Sequence, residues 1–234
     1  MGIATEICGT ILKFIGNDGC AIEQRLAQAD KVYYKWKLFL QCKDVSVHRR
    51  LTLLLATVFS SALWLAETWF PTRQQRGRFD SWGARMASRM GLAQRKVAEE
   101  MGQYWRRLHR TGHRWLRSAG GGLDWRRAAR VHSYAGHIAR TSCQLLEMAL
   151  RTRCLAWWRY NQARYHSRHD RLHPRRFKAW RWESQLVEIY GGCESIDAFT
   201  NAGWMLKAQS RDAWKDSAQA FLKAAVGRRG CNNE

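Results

Sequence analysis

Arginine set beside an aromatic ring recurs along this chain: Trp105-Arg106-Arg107, His113-Arg114-Trp115, Trp125-Arg126-Arg127, Trp157-Trp158-Arg159 and Trp180-Arg181-Trp182. A guanidinium forks onto phosphate oxygens and stacks on flat rings, and an indole stacks on a nucleobase, so the pairing suits nucleic acid. Adjacent helical residues point about 100° apart, so a buried tryptophan beside an exposed arginine is also ordinary amphipathic helix. On that reading most of the tryptophans are core and the arginines are the working surface. The candidate phosphate contacts are Arg73, Arg76, Arg78, Arg85, Arg89, Arg106, Arg107, Arg110, Arg114, Arg126 and Arg127.

The charge is concentrated where those residues lie. Lys+Arg is 40 against 19 Asp+Glu, and the block from Pro71 to Arg181 holds 26 basic and 6 acidic residues, leaving the flanks nearly balanced. Within the block only Lys96 and Lys178 are lysine. A soluble surface is better served by mixed signs, so a one-sign arginine block points to a polyanion, with RNA, an RNA–DNA hybrid or DNA duplex as the partner.

Other chemistries find less support. His109 and His113 are spaced to share a metal on one helix face, but Arg110 stands where a metalloprotease motif has glutamate, and arginines crowd every histidine pair. Cys143 and Cys154 lie about three turns apart on one expected helix, too far for a shared ion. No Asp-Asp dipeptide offers the paired carboxylates of a two-metal polymerase, no Gly-x-Ser-x-Gly frames a nucleophile, and Gly120-Gly121-Gly122 lacks the Gly-Lys-Ser/Thr ending of a phosphate loop. The expectation is no enzyme activity, no cofactor and no metal. The 7 cysteines form no Cys-x-x-Cys pair, which fits reduced thiols inside a cell.

The elements that must position the arginines read as helices throughout. Only 2 prolines interrupt the chain, and 46% hydrophobic residues suffice for a buried core. Ile22, Leu26, Ala29, Tyr33, Trp36 and Leu40 give one apolar stripe for a helix over 21–40. Ser46 is the expected N-cap of a second helix running through Trp69 and closed by Pro71. Its charge-free run from Leu51 to Ala66 is shorter than the roughly 20 residues of a membrane span and reads as buried core. Phe79, Trp82, Met86 and Met90 make a third stripe, and Val97, Met101, Trp105 and Leu108 a fourth. The glycine run at 120–122 predicts a hinge and a domain boundary. Helices are expected over 123–140, 141–168 and 175–190, and a last one from Ser210 to Gly227. The only strand pattern lies within 8–14. The expected fold is mainly α, divided into 1–20, a helical region 21–118, and a basic helical C-terminal region 119–234.

The order of several short motifs resembles the C-terminal part of LINE-type (non-LTR) retrotransposon reverse transcriptases. Gly9-Thr10-Ile11, Asp18-Gly19, then Ile22 with Arg25-Leu26-Ala27-Gln28-Ala29 resembles the passage from palm to thumb. Trp64-Leu65-Ala66-Glu67-Thr68-Trp69 is similar to the family's Tyr-Gly-Ala-Glu-Thr-Trp, with Leu65 at the glycine. Tyr134-Ala135-Gly136-His137-Ile138-Ala139-Arg140 resembles an aromatic-x-Gly-His-Val-x-Arg element. Arg181-Trp182-Glu183 resembles Arg-Trp-x-Asp, and Ala208-Gln209-Ser210-Arg211-Asp212-Ala213-Trp214 resembles Ala-x-Asp-Arg-x-x-Trp.

The resemblance implies a residual palm edge over 1–20, a thumb-like bundle that holds template–primer, and the C-terminal region beyond it. The catalytic palm and the nuclease domain would lie outside this chain, and the missing palm would be a second partner. The matching expectation is a nuclear or cytoplasmic ribonucleoprotein that grips backbone phosphates. Rival readings are a degenerate retroelement relic with no selected function, and a basic protein lying on anionic membrane.

Overall fold

The computed structural model describes residues 4–7, 10–13, 19–69, 71–91, 94–141, 186, 189–190 and 203–227, and these are mainly helical. Two short strands, β1 (Ala4–Ile7) and β2 (Thr10–Lys13), pair antiparallel with Ile7 opposite Thr10. The sequence pattern predicts the second of these and misses the first. Two compact units follow from the contacts, Met1–Arg127 and Ala128–Glu234.

The first unit is built around α1 (Gly19–Gln41). Ile22, Ala29, Tyr33 and Leu40 are buried as the stripe predicts, while Trp36 is partly exposed. The expected second helix is real but broken. Ser46 caps α2 (Val47–Leu54) by accepting from the Arg49 amide, and a π turn over Leu55–Phe59 leads into α3 (Ser60–Ala62). The hydroxyls inside the charge-free run bond backward, Thr57 to the Leu53 carbonyl at 2.7 Å and Ser60 to the Leu55 carbonyl at 3.3 Å. Hydroxyl back-bonding of this kind competes with the helical ladder and fits a widened turn. The helix therefore stops at Ala62 and does not reach Trp69; a 3₁₀ turn over Ala66–Thr68 completes the run. Burial of Leu51, Leu54, Val58, Phe59, Ala62, Leu63 and Ala66 explains the absence of charge. No helix of the described residues is long and apolar enough to cross a membrane.

Two further helices carry the arginines. Thr72 opens α4 (Arg73–Arg89) with a capping box closed by Gln75, and Phe79, Trp82, Met86 and Met90 are all buried. The Trp82 indole donates to Asp30 of α1 at 3.2 Å. Arg50 is buried and donates to the Leu40 and Met90 carbonyls, satisfying the ends of α1 and α4 together. Helix α5 (Met101–Ser118) crosses α4 in backbone contact: a Cβ on Gly112 would overlap the Ala84 carbonyl. The fourth apolar stripe is not core: Val97, Met101 and Trp105 are exposed and Leu108 is only half-buried.

The glycine run is a helix cap. Gly121 N–H reaches the Leu116 carbonyl at 2.8 Å and Gly120 N–H the Arg117 carbonyl at 3.2 Å, with φ +91 at Gly120 and +117 at Gly121. This Schellman geometry requires φ > 0, which glycine supplies without steric penalty. The chain then enters α6 (Leu123–Ala139), whose Leu123 joins the first unit's core and whose Asp124 N–H donates to Asp80 at 2.7 Å. The division between units thus falls at Arg127 and not at the glycines, because residues beyond the cap are still fastened to the first core.

Within the second unit, α7 (Gly203–Gln209) and α8 (Arg211–Gly227) follow α6. The Ser210 hydroxyl accepts from the Ala213 amide, as expected of the predicted cap. Of the helices expected over 141–168 and 175–190, all but Thr141, Leu186, Ile189 and Tyr190 lie outside the described residues. Leu186, Ile189 and Tyr190 are helical.

Candidate nucleic-acid interface

The exposed side of α4 carries Arg78, Ser81, Arg85 and Arg89 at steps of three and four, so they share one face. On α5, Arg106, Arg110 and Arg114 are exposed and follow each other at steps of four. Between the two helices lies a groove of about 420 Å³. Its α4 wall is Ser81, Arg85 and Ser88. Its α5 wall is Trp105, Leu108 and His109, flanked by Arg106 and Arg110. Among the described residues no carboxylate lines it. Arg85, Arg106 and Arg110 make no ion pair among the described residues; Arg106 donates only to its own helix, at the Gly102 carbonyl.

Trp105 is 57% exposed, against 2% for Trp69 and 3% for Trp82. It sits against Tyr104 with ring centroids 5.3 Å apart. His109 meets His113 edge to face at 4.5 Å. Among the described residues no three His, Cys, Asp or Glu side chains are grouped to hold a metal ion.

Of the other candidate arginines, Arg73 is exposed on α4 and Arg76 half-buried. Arg78 pairs with Glu23 at 3.3 Å, both side chains largely in solvent, where such a pair contributes little. Three candidates are placed where they cannot serve as assumed. Arg107 is a clamp: it grips both Glu99 oxygens at 2.7 Å and reaches the Gln94 carbonyl at 2.9 Å. Its hydrogen bonds hold the Glu99 carboxyl at about 2, well below the usual range. Arg126 is half-buried and donates to the Ala119 carbonyl inside the helix cap. Arg127 is 2% exposed and paired with fully buried Asp124 at 2.9 Å. The adjacent arginines of the 106–107 and 126–127 pairs face different sides of their helices, so at most one member of each can meet a ligand.

Comparison of the chain with protein-family models, with curated proteins and with solved structures gives no match. The site's chemistry therefore rests on its own residues. His109 and Ser81 belong to the groove; the sequence singled out His109, spaced with His113 for a metal and set among arginines as a phosphate contact, and passed over Ser81. The signal for His109 was present, since it stands one turn from Trp105 and three residues from Arg106 on α5. Nothing in the sequence marked Ser81.

In the second unit, two of the motifs that carry the family resemblance interlock. The Trp214 indole donates to the His132 carbonyl at 3.0 Å and lies so close over Gly136 that a Cβ there would overlap it. Arg140 donates to the Ala208 carbonyl at 2.6 Å and Gln209 to the Ala139 carbonyl at 2.8 Å. His132 is stacked on Trp214 at 4.0 Å and shares Ser217 and Tyr190 as hydrogen-bond neighbours at 3.3 Å. Burial pushes its imidazole down to about 4.

Proposed function

We propose that the chain is a helical nucleic-acid-binding module related to the thumb of LINE-type reverse transcriptases, gripping backbone phosphates with α4 and α5 and carrying out no polymerase chemistry itself. The observation that carries this reading is the groove lined by Arg85, Arg106 and Arg110, with no carboxylate of the described residues among its walls. Carboxylates would be expected among arginines that served only stability or solubility. Guanidinium groups held on rigid helices and left open to solvent suit phosphate oxygens, whatever the base sequence.

Two features support the lineage. Leu65 stands where the family motif has glycine, and it is the one non-glycine residue with positive φ among the described residues (φ 58). The stretches Tyr134–Arg140 and Ala208–Trp214 are bonded to each other, as two motifs of one folded region would be. Tyr34 and Leu38, one turn apart on α1, are 59% and 90% exposed, which fits the reading that a palm is a second partner. In a relic with no partner, that face would instead drive aggregation.

The test is anisotropy of a labelled primer–template hybrid across a salt series. A phosphate grip makes log affinity fall linearly with log salt, by about 0.9 per phosphate neutralised. Arg85→Glu with Arg106→Glu and Arg110→Glu should flatten that slope by about 2–3 and weaken every sequence alike. An unchanged slope, or altered sequence preference at constant affinity, would refute the grip.

A further inference from the structure

We infer that the groove between α4 and α5 is a slot for one unpaired nucleotide of a single strand, its base stacked on Trp105 and its flanking phosphates on Arg85, Arg106 and Arg110. This rests on the nucleic-acid reading above and specifies the form of nucleic acid that the groove takes.

Size is the first reason. A volume of about 420 Å³ is that of a small-molecule pocket, suited to a ring with its sugar and phosphate. A paired base offers its faces only to its stacking neighbours, so an indole inside a groove has no flat partner on a duplex. The second reason is the placement of Trp105. Trp64 of the first unit is nearly as open, at 51%, but Trp105, at 57% exposure, stands on the wall of the groove and beside Tyr104. A large apolar ring held open to water on a rigid helix, with cations around it, is the arrangement that single-strand binders use. Third, the polar groups match a nucleotide in kind: guanidiniums for phosphates, with the exposed Ser81 and half-buried His109 able to reach a base edge or sugar hydroxyl.

The experiment compares a labelled homopolymer single strand with a blunt-ended duplex of equal length, using the full chain. Trp105→Ala should weaken single-strand binding about tenfold, the loss of one stacked base, weaken duplex binding by much less, and leave both salt slopes unchanged. Trp105→Phe should restore most of the loss, since it returns a flat ring without the indole N–H. Because Trp105 is exposed, both variants should keep the parent's circular dichroism and melting. Equal weakening on both ligands, or none on the single strand, overturns the slot. If the parent grips duplex with a steep salt slope while Trp105→Ala leaves the single strand untouched, the slot fails and the phosphate grip stands. If the parent binds neither ligand at low salt, both readings fall.

Discussion

Replacing Leu65 once by glycine and once by alanine separates backbone strain from side-chain packing. Leu65 has φ 58 and ψ 19, left-handed geometry in which an L side chain crowds the following carbonyl, costing about 1–2 kcal/mol. Both replacements remove the same half-buried isobutyl group, so their shared packing loss cancels in the comparison. Alanine keeps a Cβ and hence the strain. Glycine relieves it but gives up roughly 0.5–1 kcal/mol to the greater freedom of the unfolded chain. The glycine variant should therefore be more stable than the alanine variant by about 1 kcal/mol. In right-handed helix the order reverses, alanine leading by about 1 kcal/mol, so the two geometries differ in sign and not only in size. Urea unfolding followed by circular dichroism, with matched m-values, reads the difference directly. An alanine variant equal to or more stable than the glycine variant would show that residue 65 is not left-handed, and would remove one support for the proposed lineage.

Two further substitutions probe the buried polar groups of each unit. Asp124→Ala strands Arg127 with its charge buried and should destabilise the first unit by about 3–5 kcal/mol, most of it recovered by adding Arg127→Met; a urea-unfolding free energy that changes by less than about a tenth of that would show the pair is solvated. His132 is held neutral by burial down to about 4, whereas the unfolded chain takes up its proton near 6.5. Stability of the second unit should be flat above 6.5 and decline as pH falls through that window, because only the unfolded chain binds the proton there. His132→Gln should flatten the decline in melting temperature, and an unchanged decline in that variant would assign it to another group.

The helical class, the stripes of α1 and α4 and the caps at Ser46 and Ser210 were all legible in the sequence. Each is written in residue types at fixed spacing, which is what a pattern can carry. The end of the second helix was not legible, because an uncharged run reports burial and is silent on where the backbone turns. The fourth stripe looked like core for a related reason: Val97, Met101 and Trp105 have the right period, but period says which residues share a face and not what covers it. The candidate site divided along similar lines. Arg106 and Arg107 are equivalent on paper. Glu99 tethers one of them from outside the helix, and that pairing depends on where a carboxylate arrives in space. Asp124 withdraws Arg127 from within α6 at i,i+3, a spacing written in the sequence, but its complete burial is not. Arg50 shows the limit most plainly: in sequence it is one of two adjacent arginines before an uncharged run, and in the fold it closes the ends of two helices.

Where α5 crosses α4, Gly112 and the Ala84 carbonyl meet with no side chain between them. The gauge of the groove is therefore set by main chain, like calipers locked at the pivot. Residues on the rim can be exchanged for others of different length or charge while the jaws keep their spacing. A family of rim variants would then compare ligand chemistries at constant aperture. The pivot itself tolerates nothing larger than hydrogen, so selectivity can drift freely at the lips of the groove while its width stays fixed.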